Sequence, residues 1–427
     1  MKLAQSLFIG IDLGTSGVRA CAIDENKTLL HMTRSTLPPA QTNEQSITQD
    51  AQLWWKATED VLNELFKTIN ASQVQAISVN GTSGTVLVCD QQGTPLAPAR
   101  MYNDSFCIEQ ANRIKRIAPE NSAAHGASSG LAKLLYLQSQ FPQARYFLHQ
   151  ADWIAGQLNG HFHLSDENNA LKSGYDPLSR CWPEWLDQLN IRRELLPEVV
   201  PPGTSIGRVK ASLCQQYDIN PDCHIISGTT DSIAAFIATG ASQPGEAVTS
   251  LGSTLVLKII SDKPIYAAEY GIYSHRLGQH WLAGGASNSG GNVIKHYFNQ
   301  KKIDRLTALL KPQRMTDLNY YPLVHSGERF PVNDPKLTPT LEPRPRSELE
   351  FFQGILEGIS KIEREGYSKL HQLGAPFPSH IETAGGGSKN KAWTLIRKNI
   401  LGVPVKQASM SEACYGSALL AKRGLEI

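Results

Sequence analysis

Two aspartates sit where apolar runs meet glycine. In Ile11-Asp12-Leu13-Gly14-Thr15-Ser16-Gly17 the carboxylate ends the run Leu7 to Ile11, and Gly-Thr-Ser-Gly follows at once. A charge inside a buried strand costs free energy unless something pairs with it. The adjoining turn offers clustered backbone N–H groups and two hydroxyls, the donors a phosphate group needs. In "HIISGTTDSIAAFIATG" (224–240) the second carboxylate, Asp231, follows a buried strand and opens an apolar helix. By local pattern it is a helix N-cap, and by its place at a strand end it is a cleft residue.

Other chemistries are weaker. No Gly-x4-Gly-Lys-Ser/Thr loop is present, and no Gly-x-Gly-x-x-Gly follows a strand. "GASSG" (126–130) has the Gly-x-Ser-x-Gly pattern of a hydrolase nucleophile, but polar sequence with Pro119 precedes it where a buried strand is required. His161-Phe162-His163 is the nearest approach to a metal pair, and we place it on a loop or edge strand rather than at zinc.

The elements that must position these groups come in two sets. "DLGTS" has a twin, "SLGST" (250–254), and each lies between two strand-like runs, 7–11 and 18–23 in the first case, 246–250 and 255–260 in the second. The first hairpin is followed by an amphipathic helix over 50–69, with Leu53, Trp54, Ala57, Val61 and Leu65 on one face. A strand at 74–79 then ends in "NGTSGT". The second hairpin is followed by strand-like 271–275 and 280–283, a long helix over 347–372 and a strand at 380–383 ending in "AGGGSKN". The pattern predicts a duplicated α/β unit whose glycine turns face a cleft. Residues from about 100 to 220 read as a largely helical insertion on the first half, and 331–347 as an irregular surface loop.

With 427 residues, 41% hydrophobic and 19% charged, the chain reads as globular with two domains. A net charge of +2 speaks against nucleic acid or an acidic membrane as an obligate partner, and no run is long enough for a membrane helix. Seven cysteines without a Cys-x-x-Cys pair fit reduced thiols. These features predict a cytoplasmic protein; a removed plastid transit peptide is compatible with them. The oligomeric state, monomer or dimer, is left open.

In order along the chain, "GIDLGTSGVRA", "GTTDSIAA", "SLGST", "GERFPVNDP" and "TAGGGSKN" resemble the FGGY carbohydrate kinases, from Phe8 to about Leu420. "EACYGSALLA" (412–421) resembles their closing helix. The resemblance implies an α/β fold of two duplicated actin-like, ribonuclease H-like domains flanking a cleft. The first would span 1–238 with its sugar-binding insertion, completed by 411–427, and the second, nucleotide-binding, 239–410. It implies ATP and Mg²⁺ as cofactors. Gly14, Thr15 and Ser16 would hold the transferring phosphoryl group, Thr15 within the catalytic set. Asp12 would organise Mg²⁺ through water, and Asp231 would be the general base toward the sugar hydroxyl. Gly252, Ser253 and Thr254 would line the nucleotide phosphates, and Gly386, Gly387 and Asn390 would approach the adenosine.

Two places depart from the pattern. Xylulokinases usually carry Gln-Met-His-Gly at the sugar strand end, where this chain has Gly81-Thr82-Ser83-Gly84. The usual Trp-x-Asp-x-Arg is Tyr102-Asn103-Asp104-Ser105-Phe106. Ser83, Thr82 and Asp104 are then the candidate sugar contacts beside Asp231. These changes resemble the compact xylulose-kinase-like branch and make D-ribulose the expected substrate. D-xylulose or a polyol such as ribitol or glycerol is the alternative. An actin-like ATP-binding switch protein is the alternative from another class, and Asp231 argues against it.

Overall fold

The computed structural model describes residues 6–44 and 46–425. It divides into two compact units, residues 1–238 with 412–427, and residues 239–411.

The first unit is built on a mixed sheet of Leu7–Gly14 (β1), Gly17–Asp24 (β2), Leu29–Thr36 (β3), Val74–Gly81 (β4), Ser205–Arg208 (β5) and His224–Thr230 (β6), in the order β5-β6-β4-β1-β2-β3. β1, β2 and β3 form an antiparallel meander, whereas β4 runs parallel to β1, and β6 parallel to β4. The carboxyl ends of β1, β4 and β6 therefore lie side by side, with Asp12 opposite Asn80 and Thr230 opposite Gly81. These central strands are buried on both faces, which is why β1 reads as a nearly unbroken apolar run.

Helix Ala51–Phe66 covers one face. Asp50 caps it by accepting from Gln52 N at 2.9 Å, and Trp54, Ala57, Val61, Leu62 and Leu65 form its buried stripe. Trp54 meets Trp153 edge-on, with ring centroids 6.3 Å apart. Helix Ala413–Arg423 packs against β1. The approach is so close that a Cβ on Gly10 would fall 1.9 Å from the Cys414 carbonyl oxygen, so only glycine fits there.

The inserted layer is less helical, and starts earlier, than the sequence pattern predicts. Five short strands, Gln41–Asn43, Ser46–Gln49, Val86–Cys89, Ala99–Arg100 and Tyr146–His149, form a second sheet in this unit, and β5 at 205–208 already belongs to the main sheet. Strands of two to four residues carry too little periodicity to be read from sequence. Helices Ile108–Ile117 and Gly130–Gln140 pack with Val86, Val88 and Phe147 into a separate core.

The second unit repeats the plan. Glu246–Leu251 (β7), Leu255–Ser261 (β8), His275–Leu277 (β9), His280–Ser287 (β10), His380–Ala384 (β11) and Val405–Gln407 (β12) are ordered β9-β10-β8-β7-β11-β12. β7, β8 and β10 match the meander β1, β2 and β3. β11 and β12 are the parallel strands that match β4 and β6. Of the run Gly271 to His275 only His275 lies in a strand, the first residue of β9, while Ile272 makes an isolated bridge to Ala267. Helix Glu348–Gln372 lies in this unit's core, and Arg397 holds its Glu363 through two 2.7 Å bonds, both side chains fully buried.

Candidate active site

In the first unit Asp12 is the last carboxylate before the hairpin turn and is 4% exposed. Across the hairpin Arg19 Nη1 donates to its Oδ2 at 3.2 Å. One half-exposed arginine does not offset the burial. Burial, and then the charge of Asp231, push the Asp12 carboxyl up to about 6, while Arg19 pulls the other way. A buried carboxylate whose proton affinity is raised by burial and by a second carboxylate makes a site that favours a cation. Among the described residues no group of three or more His, Cys, Asp or Glu is placed to hold a metal. That fits Mg²⁺, which is held by one or two carboxylates and completed by water and phosphate oxygens. The turn residues Thr15 and Ser16 are exposed, with Gly14 partly so.

Asp231 is the first residue of helix Asp231–Ala238, which follows β6 without a break. Its Oδ1 accepts from Ser232 N at 2.6 Å, and the residue is half-buried. The carboxylate stands at the helix end where the dipole favours negative charge.

The turn after β4 is tied down atom by atom. Gln150 Oε1 accepts from Thr82 N at 3.0 Å and from Thr82 Oγ1 at 2.9 Å. With that proton committed, the 2.6 Å contact between Thr82 Oγ1 and Thr85 Oγ1 has Thr85 as donor. Thr85 Oγ1 in turn accepts from Tyr102 N at 2.9 Å, and Gln150 N donates to Thr85 O at 3.1 Å. Ser83, at the apex, is half-buried and its Oγ has no hydrogen-bond partner among the described residues.

Two of the expected sugar contacts are therefore corrected. Thr82 is buried and its hydroxyl is committed to Gln150 and Thr85. Asp104 is 0% exposed: Arg100 Nη1 reaches both its oxygens, at 3.2 and 3.0 Å, and it also accepts from Ile47 N and Phe106 N. Arg100 supplies in this chain the cation missing from the Trp-x-Asp-x-Arg pattern, from four residues earlier instead of two later. Both residues shape the turn and the segment beside it rather than face a ligand.

In the second unit Gly252, Ser253, Gly386, Gly387 and Asn390 line one cavity of about 590 Å³. Thr254, expected with them, is not among the residues that line it. The walls are apolar, from Ile294, Ile303, Phe352, Leu356 and Trp393, and the rim is polar, from Lys295, Asp304, Thr307 and Lys389. Flat apolar walls with a few polar groups suit a purine base. Gly385, at φ 81°, turns β11 against the β7–β8 hairpin: a Cβ there would fall 2.7 Å from Leu251 O. Asn390 caps helix Lys391–Leu401 through Trp393 N at 2.9 Å, and its amide donates to Thr307 Oγ1 at 3.1 Å. Sequence reading missed the wall from Gly291 to Thr307; the Gly290-Gly291 pair opening a helix was its one visible signal.

Ser129 of "GASSG" caps helix Gly130–Gln140 by accepting from Ala132 N at 3.1 Å. His161 and His163 lie outside the strands, with their rings edge-on at 5.9 Å.

Comparison with known proteins divides the chain at the same place, near residue 238, but counts the helix 413–423 with the second part. The FGGY family of carbohydrate kinases matches in two parts, its N-terminal domain over residues 7–238 and its C-terminal domain over 247–425. A xylulose kinase of Staphylococcus epidermidis is 24% identical, over 99% of this chain and 89% of its own length. Among solved structures, a xyloylose kinase from Brucella ovis superposes with a TM-score of 0.88 at 23% identity, over 97% of this chain and 90% of the other. A gluconate kinase from Lactobacillus acidophilus gives 0.85 at 20%, over 99% and 90%. The two units carry the duplicated actin-like, ribonuclease H-like fold.

Proposed function

The chain belongs to the FGGY family of carbohydrate kinases and is an ATP-dependent sugar kinase that works with Mg²⁺, and from that premise we propose that it phosphorylates a ketopentose at a terminal hydroxyl. The observation that carries the reading is the pair of carboxylates in the first unit, Asp12 and Asp231, each at the end of a central strand, with the charge of Asp231 felt at Asp12. An ATP-binding switch needs one metal-side carboxylate. Transfer to an alcohol gives the second carboxylate a task, since a group must take the proton of the hydroxyl.

When bound, Mg²⁺ neutralises charge on the phosphate chain. Asp12 would hold it through water, and the Gly14–Ser16 turn would cradle the phosphoryl group. Asp231 would accept the proton of the sugar hydroxyl as the new P–O bond forms and the bond to the nucleotide breaks. Ser83 Oγ would bind a sugar hydroxyl. The purine would occupy the cavity walled by Phe352, Leu356 and Trp393. No described helix is long and apolar enough to cross a membrane, and the cysteines are unpaired thiols, so we place the protein in the cytoplasm.

Curated relatives named xylulose kinase support D-xylulose as the substrate. A second reading, D-ribulose, is favoured by Gly81-Thr82-Ser83-Gly84 standing where xylulokinases carry Gln-Met-His-Gly. Coupled ADP release with Mg·ATP across ketopentoses, aldopentoses, gluconate and polyols decides between them. A ketopentose should have the highest kcat/KM. A polyol or an aldonate in first place would overturn the ketopentose assignment.

A further inference from the structure

We propose that Lys133 is a positioning residue for the sugar: it binds the turn that presents Ser83 to the neighbouring segment 101–104 and so sets the affinity for the acceptor. The proposal rests on the reading that the sugar sits at the end of β4.

Lys133 lies in the first turn of helix Gly130–Gln140 and is 0% exposed. Its Nζ donates to the carbonyl oxygens of Gly84 and Met101, both at 2.7 Å. Gly84 closes the turn Thr82 to Thr85, and Met101 opens the segment that contains Tyr102 and Asp104. Neither carbonyl belongs to a sheet ladder; Met101 O also accepts from Asp104 N at 2.9 Å, while Gly84 O is held by the lysine. The two segments touch at one other bond named above, Tyr102 N to Thr85 Oγ1. Gln150 holds the start of the turn and Lys133 holds its end. Ser83 is left as the group with an unused hydroxyl.

Stability alone does not account for this lysine. A buried ammonium needs a close counter-charge, and Asp104, which helps to keep it charged, is itself bonded to Arg100. Burial lowers the Lys133 ammonium to about 7. A methionine of similar length would fill the same space with no desolvation cost. What it could not do is bridge two carbonyls.

The test is Lys133→Met beside Ser83→Ala, with sugar KM, ATP KM, kcat and thermal unfolding measured on each. Lys133→Met should stay folded and keep ATP KM, with only a modest change in unfolding temperature, because relief of the lysine's desolvation is set against a Gly84 carbonyl left without its donor. Sugar KM should rise about tenfold or more, since misplacement of a binding group by an ångström is costly. Lys133→Gln, which keeps two N–H donors, should recover part of the loss. A folded Lys133→Met with sugar KM within about twofold of wild type overturns the proposal. So does a Lys133→Gln variant no better than Met. If Lys133→Met does not fold, the Gln variant decides: folded, it must show a selective rise in sugar KM, and a proportional loss in every parameter counts against the proposal. Ser83→Ala separates the two layers. A lost hydrogen bond there should raise sugar KM about two- to twelvefold. An unchanged value means that the sugar is elsewhere and the site assignment itself fails, whereas a raised value with an unaffected Lys133→Met removes only Lys133.

Discussion

The two hairpins of the chain have one backbone plan and different chemistry. Asp12-Leu13-Gly14-Thr15-Ser16 and Ser250-Leu251-Gly252-Ser253-Thr254 each end the central strand of a sheet, turn through glycine, and have a parallel neighbour ending beside them. The first position is a buried carboxylate in one case and a neutral hydroxyl in the other. Asp12 has Asn80 opposite it, and the site around it is charged and polar. Ser250 has Ala384 opposite it, and the glycine turn beyond leads into a largely apolar cavity. The fold needs only the turn, so the difference between the copies fits the division proposed above: metal and phosphoryl at one, nucleoside at the other.

The largest effect that separates them is expected at Asp12. Asp12→Asn should remove phosphorylation down to background and weaken binding of Mg·ATP. The same change should stabilise the metal-free protein at neutral pH. The folded carboxyl sits at about 6 against an ordinary 3.8, so the folded state holds the proton more tightly. Stability is then greatest below about 4 and falls as pH rises through 6, by about 3 kcal/mol at most. The asparagine variant escapes that loss. Scanning unfolding at pH 4 and at pH 7.5 without Mg²⁺ checks it: the variant should gain several degrees at 7.5 and little at 4. A variant less stable than wild type at 7.5 would show that the Arg19 bond outweighs burial.

Next in size is Asp231→Asn. Asparagine is as good a helix cap as aspartate, so unfolding should not change. Loss of a general base typically costs about 10²–10⁴-fold in rate, and sugar-dependent ADP release should fall by at least about a hundredfold. ATP binding should persist, because the glycine turns of the second unit are untouched. Full activity in this variant would make Asp231 a cap and nothing more.

How much of this could be read from the chain depends on the range of the interaction. The hairpins, the helix 51–66 and the strand from 224 to 227 announce themselves through local periodicity and caps, although Gly228 to Thr230, which read as a turn, continue that strand, and the repeat "DLGTS"/"SLGST" gave the duplication. Asp12 was legible because a carboxylate inside an apolar run has no bland explanation. Thr82 and Asp104 were misassigned for the opposite reason. Their partners, Gln150 at one and Ile47 with Arg100 at the other, come from distant or unpatterned positions. A polar residue committed to a remote backbone group looks the same in sequence as one awaiting a ligand. Lys133 was invisible too, since a lysine in a helix reads as a solvated face until its burial is known.

The smallest effect is expected at the counterpart of Asp12. Ser250 is half-buried, opposite Val256 and Ala384 in the sheet, and does not line the cavity that begins at Leu251. Its hydroxyl has no charge to balance, and alanine fits a strand end without crowding it. Ser250→Ala should therefore leave kcat, sugar KM and ATP KM within about twofold, less than the roughly 0.5–1.5 kcal/mol of one hydrogen bond would give if the side chain held a ligand. Steady-state kinetics with ATP as the varied substrate is the measurement. A tenfold rise in ATP KM would mean that the second hairpin grips the nucleotide at the same position as the first grips its metal. The two copies would then differ in charge alone and not in role, and the division of labour drawn between them would have to be withdrawn.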